Sequence, residues 1–371
     1  MEAVAPRLAH EIADQPEIEL PLLGLDERDQ TVLMVQVENE VAMIGEAADR
    51  SAAAQAALRA PVPAEVLRAA PGTRGAGSWE EVYGKGASTE ERFMAWHFAR
   101  YVEAVARAGK AVYPLPMFVN AALPRPNLQP GQNPSGGPIP AVYEIWKAGA
   151  PSVDLEAPDI YFPEFAAWCE RYRRPGNALL VPEAKNDEST AVNVLYAIGQ
   201  QAIGVSPFAI DATPPALAAP LAQAYGLGAE LAPFLLADGA RTAGVLLEKS
   251  APTVKLTLGG HVLTVSHDYT FPWSSPARND PTWPRAGAAI VALSDDEYLV
   301  AGNGVIVTFA PAPGSPGDPI AGLERVDEGR AENGKFVVTR RLNGDETHQG
   351  RQVRLPMGAF ALQRVKLYRY R

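Results

Sequence analysis

The sequence has one cysteine, Cys169, in 371 residues. No intrachain disulfide can form, and its setting in PEFAAWCERYRR reads as a small core residue rather than a reactive thiol. Histidine is also scarce: His10, His97, His261, His267 and His348 show no metal-ligand spacing, so no metal is expected. No apolar run reaches the roughly 18 residues that suggest a membrane span. The opening MEAVAPRLAHEIADQPEIEL lacks the basic region, apolar core and cleavage site of a secretory signal. The expectation is a soluble protein, cytoplasmic or periplasmic, with no membrane partner. Positive charge is the minority: 33 Lys and Arg against 43 Asp and Glu leave a net charge of −10. Without a basic stripe, nucleic acid is excluded as a main partner. The Gly-Gly pairs of PSGGP and LGGH lack a P-loop lysine or a Rossmann pattern, and no GxSxG elbow occurs. No cofactor is expected. A neutral substrate such as a sugar suits an acidic chain.

What is present is hydrophobic substance, 47% of residues, enough for sizeable cores, and a length that suggests two domains. Residues 4 to 13 read as a helix with Val4, Leu8 and Ile12 on one stripe. TVLMVQVENE (31–40) is an almost unbroken apolar run that ends abruptly in polar groups, as a strand covered on both faces would. Residues 43 to 90 form a long insertion rich in Ala, Pro and Gly; such segments are usually functional or carry short elements of their own. A helix follows in ERFMAWHFARYVEAVARAGK, with Gly109 placed to stop it. Strand and helix then alternate. Strand candidates are YPLPMFVN (113–120), VDLEAPDIYF, NALLVPEA (177–184) and AIGVSPFAID (202–211). Helix candidates are AVYEIWKAGA, FPEFAAWCERYRR, ESTAVNVLYAIGQ and the long PPALAAPLAQAYGLGAELAPFLL. This alternation predicts a parallel α/β sheet. After about residue 240 strands joined by Gly, Asn and Asp turns take over, with LTLGGHVLTV and LVAGNGVIVT read as hairpins. A separate antiparallel β domain, a sandwich, is predicted there.

Two places break the apolar pattern alike. Val35-Gln36-Val37-Glu38-Asn39-Glu40 closes an apolar strand with acids and amides, and Leu180-Val181-Pro182-Glu183 closes another with a carboxylate. In a (β/α) barrel the C-terminal strand ends line the active site. Burying a carboxylate costs several kcal/mol unless it is paired, so two such acids suggest a selected site. Taken alone, Glu183 reads more readily as a solvated loop residue, and Glu38 as the partner of an arginine at the barrel mouth. Asn39-Glu40 together with Glu183 is the more specific pattern.

QVENE closely resembles the acid/base motif of family-35 glycoside hydrolases, and LLVPEA resembles the nucleophile strand of the same clan. SPFAID, DYTFPWS, RRLNGDETHQGR and LQRVKLYRYR are similar to bacterial family-35 β-galactosidases with a C-terminal β domain. The likeness covers nearly all of the chain after about residue 28; Ala42 and Ala209 stand where the family usually has Gly. The resemblance implies a retaining hydrolase of terminal β-galactosides. Glu40 would be the acid/base and Glu183 the nucleophile. Asn39 would bind the sugar 2-hydroxyl, Tyr161 would donate to Glu183, and Asn120 would be a further polar contact. Tyr161 reads equally as an amphipathic wall residue. Of Trp79, Trp96 and Trp146, one could stack on a sugar, although helix packing suits Trp96 and Trp146 better. A galactoside or oligosaccharide is the implied partner, and a homo-oligomer is left open.

The family places its Asn-Glu motif after the fourth barrel strand. Five strands are counted here, at 31–37, 113–119, 153–161, 178–182 and 202–208, against the eight of a full barrel. The expectation is a partial (β/α)8 TIM barrel, strands four to eight, over residues 1–239, followed by an all-β antiparallel sandwich over 240–371, with strands one to three missing and little activity in the chain as it stands. Two other functions fit the residues: a non-catalytic carbohydrate-binding protein on a degenerate barrel, and a sister glycosidase with another sugar specificity. The intact pair of acids favours the enzyme.

Overall fold

A computed structural model describes residues 30–272 and 282–371. The helix expected over 4–13, His10 and the end of the DYTFPWSSP loop lie outside them. The chain is mixed α/β. It packs as two compact units: the described residues up to Ile160 with Glu170–Pro182, and Tyr161–Cys169 with Glu183–Arg371.

The first unit opens with β1 (Val35–Gln36), shorter than the run 31–37 because only Val35↔Met117 and Gln36↔Phe118 pair with β2 (Met117–Ala122). Leu33 and Val35 are exposed, so this stretch is not covered on both faces. The 43–90 insertion carries three short helices, α1 (Ala52–Arg59), α2 (Ala64–Ala69) and α3 (Trp79–Tyr83). Ser51 caps α1 by accepting from Ala54 N at 3.2 Å, and Ser78 and Glu81 close a capping box on α3. The long helix α4 (Ala87–Val112) buries Phe93, Met94, Trp96, Ala99, Val102 and Ala106 on one stripe. It runs past Gly109. A Cβ there would lie 2.8 Å from the Met117 methyl, the end of a flexible side chain. After β2 come α5 (Tyr143–Gly149) and β3 (Leu155–Ile160), which pairs with β2 in parallel. Then follow α6 (Phe165–Tyr172), β4 (Leu180–Ala184), α7 (Thr190–Gly199), β5 (Gly204–Pro207) and α8 (Pro215–Leu235). The sheet order β1-β2-β3-β4-β5 is also the chain order, as in one half of a (β/α) barrel.

From β6 (Arg241–Leu247) onward the second unit is built of antiparallel sheets. One has six strands, ordered β13-β12-β15-β10-β9-β6, and the other four, ordered β14-β11-β8-β7. The remaining ranges are β7 (Thr253–Leu258), β8 (His261–His267), β9 (Ala286–Ala292), β10 (Glu297–Asn303), β11 (Val305–Pro311), β12 (Ile320–Glu332), β13 (Lys335–Arg341), β14 (Val353–Leu355) and β15 (Ala361–Tyr370). Val245, Ile290, Val300 and Val365 of the first sheet share a single core with Leu263, Val265, Val307 and Leu355 of the second. LTLGGHVLTV is a hairpin, with Leu258 opposite His261. LVAGNGVIVT is not: β10 pairs with β9 and β15, while β11 pairs with β8 and β14. Gly304, at φ +71°, carries the chain from one sheet to the other. The same unit holds α7, whose residues are nearly all buried and which crosses β6 at two glycines. A Cβ on Gly244 would lie 2.0 Å from the Tyr196 carbonyl oxygen, and one on Gly199 would lie 2.5 Å from that of Ala243. Among the described residues no helix is long and apolar enough to cross a membrane.

Candidate functional site

In the first unit the polar close of the β1 segment is held from β2 and β3. The turn uses left-handed backbone at Glu38 (φ +61°) and Glu40 (φ +47°), a cost of about 1–3 kcal/mol each that the surrounding bonds must hold in place. Asn120 is buried in β2 and supplies them. Its Oδ1 accepts from Glu40 N at 2.9 Å, while its Nδ2 donates to Asn39 Oδ1 at 2.9 Å and to Asp159 Oδ2 at 2.6 Å. Asn39 Oδ1 also accepts from Gln36 Nε2 at 3.1 Å. Asn39, Glu40 and Asn120 are therefore in one network, with Asn120 bracing the main chain of Glu40 and the side chain of Asn39. Asp159, buried at the end of β3, anchors that network. It is a third strand-end carboxylate that sequence reading passed over, although PDIYFP shows it.

Among the described residues Glu38 takes no arginine. Its Oε1 accepts from the Tyr101 hydroxyl of α4 at 2.7 Å. Burial, with the Glu38 carboxylate as the next cause, pushes the Tyr101 phenol up to about 12, so it stays a donor through the physiological range. Nothing in the sequence signals this contact, which joins residues 63 positions apart.

In the second unit the Tyr161 hydroxyl donates to Glu183 Oε1. Phe208, just after β5, sets its ring edge-on to Tyr161 at 6.4 Å between centroids. Its backbone N donates to Ala184 O at 2.8 Å, which fixes the loop beside Glu183. Tyr161 and Phe208 are both exposed, 42% and 57%, and form an aromatic face next to a carboxylate. By contrast Trp79, Trp96 and Trp146 are all buried and offer no ring to a sugar. Trp79 packs against Phe93 and Tyr83, and Trp146 Nε1 donates to the Gly136 carbonyl at 3.0 Å. Phe208 could have been noticed within SPFAID as an aromatic at a strand end. Among the described residues no group of three or more His, Cys, Asp or Glu is arranged to hold a metal ion.

A family model described as a domain of unknown function (DUF5597) matches residues 221–354, covering most of α8 and the strands from β6 into β14. No curated protein matches the chain. Among solved structures, the chain is similar to the crystal structure of a glycosyl hydrolase family 2 (GH2) member from Bacteroides cellulosilyticus DSM 14838. The match covers 73% of this chain at 11% identity with a TM-score of 0.22, and the chain spans 42% of the length of that protein.

Proposed function

We propose that the protein is a retaining glycoside hydrolase acting on terminal β-galactosides, of the family-35 type that its QVENE and LLVPEA motifs resemble. The observation that carries the reading is the carboxylate of Glu183 at the end of β4, receiving the hydroxyl of Tyr161 beside an exposed aromatic face. A tyrosine on one carboxylate oxygen orients the group and leaves the other oxygen for carbon. The network around Glu40 adds support, because it fixes the backbone of one acid and the amide of Asn39 before substrate arrives.

In this mechanism Glu183 attacks the anomeric carbon as the bond to the leaving oxygen breaks, and Glu40 gives that oxygen its proton. Water then attacks the same carbon, Glu40 takes its proton, and the bond to Glu183 breaks to release the sugar with retained configuration. Asn39 holds the 2-hydroxyl, where hydrogen bonds strengthen in the transition state. Asn120 acts through its two neighbours, and Tyr161 through Glu183.

The test is turnover of an aryl β-galactoside by a protein extended upstream to carry all eight barrel strands, since little is expected of the chain as it stands. Glu183→Gln is expected to abolish it. Glu40→Gln should lose little in kcat/KM on a dinitrophenyl leaving group, which needs no proton, and much more on a poor one, while kcat falls on both because water still needs Glu40 as base. Equal turnover by parent and both variants, on either substrate, overturns the assignment.

A further inference from the structure

The 43–90 insertion has no part in the proposed chemistry, yet it builds one wall of a cavity of about 230 Å³ in the first unit. The other wall is the start of α5 and Arg174. Two guanidinium groups line this cavity. Arg92 lies over the Tyr83 ring at 5.0 Å, and Arg174 over the Tyr143 ring at 4.2 Å. Neither forms an ion pair among the described residues. Each guanidinium carbon lies over a tyrosine ring, a cation–π contact that does not consume its charge.

The supports are themselves fixed. The Tyr83 hydroxyl donates to the Ala70 carbonyl at 2.5 Å, tying α3 to the end of α2, and the Arg174 Nε donates to the Arg171 carbonyl. That leaves the terminal nitrogens of Arg174, the pair that meets a planar oxyanion in a fork. Neither Glu156 nor Glu91 is among the residues that line the cavity. Glu156, behind Arg174, is buried and its pKa is raised well above the ordinary value by burial; Glu91, beside Arg92, is raised by the same cause. Glu144 is the one acid that lines the cavity. Two cations and one anion leave a single positive charge, among walls of alanine and proline at Ala69, Pro71 and Pro140.

From this geometry we infer a second binding site, independent of the glycosidase reading, for a small organic monoanion carrying a carboxylate, of the size and chemistry of a hexuronate. The carboxylate meets the guanidinium forks and the body of the molecule lies on the alanine and proline wall. A bare oxyanion would leave that wall unused.

The test is calorimetric titration of the whole chain with glucuronate, galactose and inorganic phosphate at low ionic strength. Glucuronate is expected to saturate in roughly the millimolar range, as fits a ligand of about a dozen heavy atoms. Galactose, the product of the proposed reaction, should give the same heat in the parent and in the cavity variants below, and phosphate should bind more weakly than glucuronate. Arg92→Gln and Arg174→Gln should each weaken glucuronate tenfold or more, whereas Arg107→Gln, on the same helix as Arg92 but outside the cavity, should leave it unchanged. Ala141→Glu adds a carboxylate to the wall and removes no existing contact. It should weaken binding equally, which keeps the test decisive if an arginine variant fails to fold. Galactose binding weakened by the cavity variants as glucuronate binding is, phosphate binding more tightly than glucuronate, or undiminished glucuronate binding by Ala141→Glu would each overturn the inference.

Discussion

At Ala209 the backbone is left-handed, φ +51° and ψ +46°, immediately after Phe208 and before a turn of 3-10 helix. A Cβ in that region costs about 1 kcal/mol or more, which glycine avoids. The resemblance of SPFAID to a family that usually has Gly there finds a physical reason in this angle. Ala209→Gly should therefore raise stability by about 1 kcal/mol and the melting temperature by about 2 °C, read by thermal unfolding. A lower melting temperature would show that the lost methyl packs better than the strain costs. Glu40 and Glu183 stand out as candidates at this scale because an acid that closes an apolar run is visible in one dimension. The partners of these acids were less legible. Tyr161 could be named for Glu183 from the resemblance, but the bridge from Asn120 to Asp159 and the bond from Tyr101 to Glu38 depend on which strands and helices become neighbours. No local pattern encodes that.

Elements were legible where one periodicity ruled. The five parallel strands and the helices α4 to α8 fall within a few residues of where the pattern places them. The misses share a cause. β12, IAGLERVDEGRAE, is dense in charge yet central between β13 and β15, because Asp327 is buried against Arg325 and Arg341 and register shifts let it bend. The β10–β11 turn looked like a hairpin because Asn-Gly is the strongest hairpin signal, and the signal says nothing of which sheet receives the next strand. The α7–β6 crossing was equally invisible, since a glycine that admits a backbone looks like one that makes a turn. Gly244→Ala tests it. The added methyl would meet the Tyr196 carbonyl at 2.0 Å, so a loss of about 3 kcal/mol is expected from denaturant midpoints. Gly226→Ala, in α8 with open space around the added atom, should instead gain roughly 0.5–1 kcal/mol. A loss at Gly226 as large as at Gly244 would remove the packing explanation.

For the whole molecule, acid acts through opposed groups. His261 and His267 are buried and burial lowers both below 6.5, so the unfolded chain binds their protons first. Their contribution is present above pH 6.5 and is lost as pH falls through the folded values. Glu156 works the other way. Its folded pKa is raised well above 4.5, so its contribution is greatest below about pH 4.5 and declines as pH rises through the folded value. Substitution separates the two. Glu156→Gln keeps the shape and removes the titration, so its stability relative to the parent should improve from pH 5 to pH 8, measured by urea midpoints. An identical difference at both values would mean that the buried carboxyl is not the group that titrates.

The burial of α7 sets a schedule for synthesis. The helix ends at Gly199, and β6 and β9, which cover it, are complete only at Leu247 and Ala292. At about 5–20 residues per second, Val192, Val194 and Leu195 leave the ribosome several seconds before the last of that cover exists. For that interval α7, whose residues are nearly all buried in the fold, is without its sheet, so the nascent chain carries an exposed apolar surface in the middle of its translation.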